Sequence, residues 1–573
     1  MLFSTTVLII IGLLIYVFFY HTYGKALERD VVRADDSNPT PAHRLYDGVD
    51  YVPAVNKWVL FGHHFASIAG AAPIVGPAIA MAWGFVPALL WIWFGNVFVG
   101  AVHDYLALSA SMRHDGKSIQ WIAGKLMSDR TGKIFEIFIL FLLILVVAAF
   151  SAILGNIFHK QPAVPSASLF FIIDALIVGT MIYRLKINLS FSTIVGLLLL
   201  ALSVFLGLKF PINLPYKIWL LFLLLYIVIA SVMPVWILLQ PRDYLNAYIL
   251  WFGLFLGGIA LLFVARKMVL PAFTSFSAPV INGKPSPFWP LIPLIIACGS
   301  LSGFHSLVGS GTTSKQIDKE TDALLIGYGG MFTEGFLSTI VVVSIGAFGG
   351  MVLLNAGYNI FRDAHTFSLK YLPAIKGLGG PVGIFAKTYA EAVSRVFHLS
   401  KHFIVVFASL WVSAFALTTL DTTNRIARYV VSELAEPLKN KKHTLYSIFS
   451  NRWVASLIPA TLGIWLAWGG AWQVIWPAFG GANQMLASIA LLTATLWVYK
   501  ELKVERKYTY FVLIPALFLW ITVTIALLWY LIVAIPGFFS KGIAQAVILI
   551  VFVAGMLILN FLLIYDFKKA MND

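Results

Sequence analysis

Inside long apolar runs of this chain stand a few side chains that can carry charge. His63 and His64 occur in WVLFGHHF, Asp104 in GAVHDYLAL, Glu334 in GGMFTEGF, and Asp421 with Arg425 in LTTLDTTNRIARYV. A charged side chain at the centre of a membrane helix costs about 2.5 to 3.5 kcal/mol on insertion scales, so each such group needs a partner or a task. The task open to carboxylates and imidazoles there is proton uptake and release. Glu334 is the best-placed proton carrier, because Gly329, Gly330 and Gly335 around it permit close helix packing and enclosure. His63 and His64 lie in the first turns of their segment, where an imidazole either gates and relays protons or anchors a helix end at the interface. For Asp104, next to His103, the simpler expectation is an end-of-helix salt bridge to Arg113; the alternative is a coupling role. Asp421 and Arg425 share a helix face at i, i+4, a spacing that serves a structural pair or a gate. Asp174, the lone acid in FFIIDALIV, calls for a partner on another helix.

Neutral polar groups extend the set. GFHSLVGSGTTSKQ, residues 303–316, carries His305, several hydroxyls and Lys315; it reads either as a capped helix end or as a polar wall with a gating lysine. FGGANQML puts Asn483 and Gln484 within an apolar span, to hold substrate or to act as interhelical glue. No enzyme chemistry is indicated: there is no HExxH, no nucleophile elbow, and GSGTTSK lacks Walker A spacing. The single cysteine, Cys298, excludes an internal disulfide, and with no CxxC or Cys/His cluster no metal set and no cofactor are expected.

The elements that would position these groups are membrane helices. Of 573 residues 60% are hydrophobic and 11% charged, with a mean hydropathy of +0.88, more apolar material than a soluble core could bury. The formal charge of +15 resides in short loops, where it sets orientation and does not point to nucleic acid. At about 20 apolar residues per crossing, 15 spans are counted, from a retained first helix at 2–22 to 543–566, and including 216–239, 289–311 and 453–470. With the N-terminus outside and the C-terminus inside, the inner loops hold 27 of the 40 basic residues. The expected organisation is an N-terminal helix and irregular linker (1–57), a transport core (58–470) with an outer connection of short helices (356–401), and C-terminal helices with a short tail (471–573). Trp91, Trp93, Trp465 and Trp476 near span ends read as an aromatic belt.

One span is broken. Trp58 to Met81 contains Gly70, Pro73, Gly76 and Pro77; Pro73 and Pro77 would free the carbonyls of Ala69 and Pro73, which hydrocarbon cannot satisfy. Ser67, Gly70, Ala71, Pro73 and Gly76 are therefore expected beside a binding cavity. Five spans later Pro234, after Ser231, would break an antiparallel helix, as in a five-plus-five inverted repeat; alternatively Pro234 kinks one helix and Pro241 begins the next. Substrate is expected between the two breaks.

These motifs resemble the carbon-starvation CstA family of bacterial inner-membrane transporters. The matching stretches are GHHFASIAGAAPIVGPAIA (62–80), QPRDYLN (240–246), SGFHSLVGSGTTSKQI (302–317), ALTTLDTTNRIARY (416–429) and FGGANQMLA (479–487), in family order. Ala72, Ile74, Ser314, Thr423 and Asn424 depart from the usual pattern without removing an ionisable candidate. The resemblance implies an all-α, LeuT-like bundle that takes up peptides or pyruvate during carbon starvation, coupled to protons. A channel or nutrient sensor using the same cavity is the competing expectation.

Overall fold

The computed structural model describes residues 3–48, 51–54, 56–233, 239–439, 443–469, 472–540 and 543–572. Among them eleven helices are long and apolar enough to cross a membrane, twelve if the bent pair Lys57–Ile68 and Ala72–Trp83 counts as one span. This makes the chain a multi-pass, nearly all-helical membrane protein. Three of the fifteen expected spans are not among these helices. Tyr216–Val232 and Arg452–Ala467 are shorter apolar helices, and 289–311 is not one helix but two, Phe288–Ile295 and Phe304–Gly311. Hydropathy counts apolar residues and does not register where the backbone leaves the helix.

The expected break is where the glycines and prolines put it. Helix Lys57–Ile68 is capped by Asn56, whose side chain accepts from the amides of Trp58 and Val59. It ends at Ala69, and Ala72–Ala80 continues after a 52° bend with Pro73 in its first turn, where proline forfeits no helical hydrogen bond. The carbonyl that Pro77 frees on Pro73 accepts from Ser338 Oγ at 2.7 Å. The other proposed break cannot be followed residue by residue, because Pro234 lies outside the described residues. The helix before it ends at Val232 with Met233 extended, and the next one, Leu239–Val264, carries Pro241 in its first turn.

A second interrupted helix is instead formed by Phe288–Ile295 and Phe304–Gly311, with Gly299 at φ +85° between them. The two interruptions lead into similar elements. After the first come the π-helical turns Trp91–Gly100 and then Ala101–Arg113 with Asp104 in its first turn. After the second come the π-helical turns Leu324–Gly329 and then Gly330–Asn355, which carries Glu334 near its start.

The chain divides into two compact units, one comprising residues 3–9, 140–275 and 340–476, the other 10–139, 276–339 and 477–572, among those described. Both interrupted helices belong to the second. There a small hairpin, Ser277–Ile281 with Lys284–Pro287, turns through Asn282 and Gly283, both at positive φ, as a type I′ turn requires. It is the one departure from all-α among the described residues, and Trp83 Nε1 donates to its Ser286 carbonyl at 3.1 Å. The 24–57 linker is tied within the same unit at two points: Thr40 Oγ1 donates to Ile317 O at 2.6 Å, and the Asp35 amide donates to Glu320 at 2.9 Å. The Ser37 amide at the Asp35 carboxylate holds that group below its ordinary range. In the first unit the 356–401 connection forms the helices Ala364–Gly377 and Gly380–Phe397. Trp93 and Trp476 are buried, and Trp93 donates to Thr339 Oγ1 at 3.0 Å, so neither belongs to an interfacial belt.

Candidate functional site

The second interrupted helix meets the first at Gly76, and the helix Trp472–Leu496 at Gly480, where no side chain fits. A Cβ on Gly76 would lie 2.5 Å from the Ile295 carbonyl oxygen, and one on Gly480 would lie 2.1 Å from that of Leu294. Gly76 is thus a packing residue, and so is Gly480 of the FGGANQML motif. Gly76→Val and Gly480→Val are each expected to lower stability by about 1 to 3 kcal/mol or more, as overpacking does. Gly62→Ala, whose Cβ meets nothing within 4 Å, should be tolerated; thermal unfolding of the purified variants checks both.

The unwound backbone from Ile296 to Gly303 would be costly in a membrane unless its polar groups were satisfied. Three amides do this. Asn483 donates to Ala297 O at 2.7 Å and accepts from the Phe304 amide at 2.9 Å; Gln484 donates to Leu301 O at 3.2 Å; Asn96 donates to Gly299 O and Met331 O, both at 2.8 Å. Asn483 and Gln484, read from sequence as substrate ligands or glue, are the backbone partners of the interruption.

With the backbone held, the second interrupted helix aims His305 at a buried acid. His305 Nδ1 is 2.7 Å from Asp104 Oδ2, and His103 Nδ1 is 2.7 Å from Asp104 Oδ1. On the opposite edge of the same ring, His305 Nε2 is 3.7 Å from Glu334 Oε2. All four side chains are buried. The expected Asp104–Arg113 pair does not form: Arg113 bonds Glu320, its Nε 2.6 Å from Oε1. Nearly three turns of helix separate Asp104 from Arg113, so the acid is met from another helix instead. Asp104, His305 and Glu334 form a string of proton-binding groups in which imidazole bridges two carboxylates, an arrangement that can shuttle one proton without moving the backbone.

His64 is buried beside this string. Its Nδ1 is 2.8 Å from Thr313 Oγ1, its Nε2 has no hydrogen-bond partner among the described residues, and a Cβ on Gly330, one turn before Glu334, would sit 3.4 Å from its Cδ2. His63 points the other way and is exposed, while Ser67 bonds the His63 carbonyl at 2.9 Å. Gly70 and Ala71 are buried in the interruption. Lys315 is half-buried, its ammonium 5.3 Å from the Tyr51 ring centre. Cys298, His305 and Glu334 each bring one ligand-type atom within 4.8 Å of the others. A set able to hold a metal ion therefore exists, contrary to the expectation from cysteine spacing, because a turn of unwound chain brings together what the linear pattern keeps apart.

The remaining candidates lie in the first unit. Asp421 does not pair with Arg425. Asp421 Oδ2 binds Arg242 Nη1 directly and accepts from the Tyr226 hydroxyl at 3.0 Å; Arg242 Nη2 is 2.9 Å from Asp243. Arg242 and Asp421 are wholly buried. Arg425 instead donates to the carbonyls of Ala230 at 2.9 Å and Met233 at 2.7 Å, capping the end of Tyr216–Val232. Ser231 is tied to Ser456 and to Asn424, a knot of three helices that leaves it a packing role. Asp174 receives Ser203 Oγ at 2.5 Å. Sequence reasoning missed Arg242, although it stands in QPRDYLN, and missed Asn96 and Ser338, for which a lone polar residue in an apolar run was the available signal.

Comparison with known proteins places this arrangement. The family model described as "Carbon starvation protein CstA" matches residues 4–526. A peptide transporter CstA of Bacillus subtilis is 34% identical over 555 residues, covering 92% of this chain and 90% of that protein. The peptide transporter CstA of Escherichia coli is 30% identical, covering 89% of this chain and 79% of its own length. The pyruvate/proton symporter BtsT of Escherichia coli is also 30% identical, covering 91% and 81%.

Proposed function

Because the chain belongs to the carbon starvation protein CstA family, we propose that it is a proton-coupled secondary transporter for the uptake of a small carboxylate, peptide or pyruvate, across a bacterial inner membrane. The observation that carries this reading is the buried Asp104–His305–Glu334 string next to the crossing of two interrupted helices. Relatives of this chain are named as a peptide transporter and as a pyruvate/proton symporter, and both substrates present a carboxylate. The half-helix beginning at Ala72 turns the positive end of its dipole towards the interruption, which suits an anion. Glu334 is the proton carrier, His305 its relay, Asp104 the fixed charge that orients His305, and His64 the neighbouring imidazole at the inner end.

The inverted repeat expected of such a carrier is kept in this reading, with Phe288–Gly311 as the second interrupted helix in place of the region around Pro234. The shared order of interruption, π-helical turns and an acid near the start of the next helix supports it. The basic-residue count supports an N-terminus outside and a C-terminus in the cytoplasm.

The test is uptake into proteoliposomes of labelled pyruvate and of a labelled dipeptide, each under an imposed proton or sodium gradient. Accumulation of one substrate against its gradient, driven by acid outside and abolished by a protonophore, is the expected result; flux that never exceeds equilibration under either gradient would overturn the reading. Elemental analysis of the same protein separates a relay from a metal centre: no stoichiometric transition metal is expected at Cys298, His305 and Glu334.

A further inference from the structure

In the first unit, among residues not assigned to coupling, three arginines line one cavity. It has a volume of about 410 Å³ and is lined by Arg425, Arg428 and Arg452, with the hydroxyls of Ser432, Ser450 and Tyr429. Among the described residues no carboxylate lines it and none of the three arginines forms a salt bridge. Arg425 is fixed by the two carbonyls it caps, and its Nε is buried with no hydrogen-bond partner. Arg428 is fixed by stacking over the Tyr429 ring, 4.6 Å from its centre. Asp421, one turn from Arg425, is held by Arg242.

Three arginines share the lining of one cavity, and an anion with more than one free acceptor oxygen would offset their mutual repulsion. The phosphodiester of an anionic phospholipid brings one full negative charge and two unesterified oxygens to the planar donors of arginine. The surroundings favour a phosphate that arrives on a lipid. Tyr429 of the lining is 52% exposed, and on the helix that Arg452 begins Trp453 and Leu457, one turn apart, are 55% and 49% exposed. Aromatic and aliphatic side chains bared beside arginines are what a helix presents at headgroup level.

We propose that this cavity binds a phosphate group, carried by an anionic phospholipid whose acyl chains lie along the exposed Trp453 and Leu457. The site is separate from the coupling residues, so occupancy changes stability and turnover but not the need for a proton gradient.

The test uses the full-length protein in nanodiscs of phosphatidylcholine alone, of phosphatidylcholine with phosphatidylglycerol, and of phosphatidylcholine with inorganic phosphate in the buffer. Thermal unfolding is followed for wild type, Arg428→Gln, the exposed Arg452→Gln, and Arg395→Gln as a basic control elsewhere. Phosphatidylglycerol is expected to raise the unfolding temperature of wild type and of Arg395→Gln, and phosphate is expected to leave it unchanged. Apparent lipid affinity should fall roughly tenfold or more in Arg428→Gln and in Arg452→Gln, the loss expected when a hydrogen bond between charged groups goes. An equal effect of phosphate alone would overturn the lipid as its source. No lipid effect on wild type, or one undiminished in Arg452→Gln, whose exposed side chain can be replaced without disturbing packing, would overturn the site.

Discussion

Glu334→Gln is expected to abolish proton-driven accumulation while leaving exchange of substrate across the membrane intact. In a one-to-one symport each pH unit of gradient supports about a tenfold accumulation, the 1.4 kcal/mol carried by one pH unit. A glutamine holds the shape of the acid and its place 3.7 Å from His305 Nε2 but takes up no proton, so the ratio of inner to outer substrate should fall to one. Counterflow, in which labelled substrate outside exchanges with unlabelled substrate inside, needs no net proton movement and should stay within about threefold of wild type, less than the tenfold that one unit would give. The physical ground is the local electrostatics. Glu334 is wholly buried and stands on the far edge of the ring that Asp104 holds, where a carboxyl can exchange a proton with an imidazole. Loss of counterflow together with accumulation would mean that Glu334 holds the fold or the substrate, and the assignment would pass to Asp104 or His64.

How far each feature was legible in the sequence depends on the range over which its causes act. The interruption at Ala69 to Ala71 was legible because its causes, Gly70 and Pro73, act on backbone groups three or four residues away. The second interruption carries the same local signs, Pro290, Pro293, Gly299 and Gly303, yet was read as a continuous span because apolar content outweighed them in counting. Glu334 could be singled out as a buried acid among glycines. Its imidazole neighbour, His305, could not be assigned to it, since that contact depends on how an unwound turn aims one ring. Asn483 and Gln484 were visible as polar residues needing partners, but the partners are carbonyls exposed only when the facing helix opens. The i, i+4 rule misled at Asp421 for a related reason. It gives neighbours on one helix a few tenths of a kcal/mol, far less than a buried carboxylate gains from a guanidinium delivered by another helix.

That Arg242–Asp421 pair carries the second large effect. Arg242→Ala alone should destabilise the protein by about 3 to 5 kcal/mol, because it leaves the buried Asp421 carboxylate unpaired; Asp421→Ala should cost less, because Arg242 keeps Asp243 as a partner. The double variant Arg242→Leu with Asp421→Leu removes both charges and refills the space, and is expected to recover most of that loss, since buried ion pairs are often no more stabilising than apolar residues of similar volume. The rescued protein decides the role of Asp421. Tyr226 would lose a hydrogen bond and Asp243 its Arg242 partner, but Asp243 keeps the hydroxyl of Thr418 at 3.1 Å, itself held by Asn246 at 2.8 Å, so the surrounding network survives. If Asp421 only neutralises Arg242, the double variant should still accumulate substrate on a proton gradient, within about threefold of wild type by the same tenfold-per-unit measure. If it folds and exchanges but no longer accumulates, the proton passes through Asp421, and the string at Glu334 is a structural network. The two experiments therefore constrain each other, and a single carrier of the proton requires that only one of them abolish accumulation.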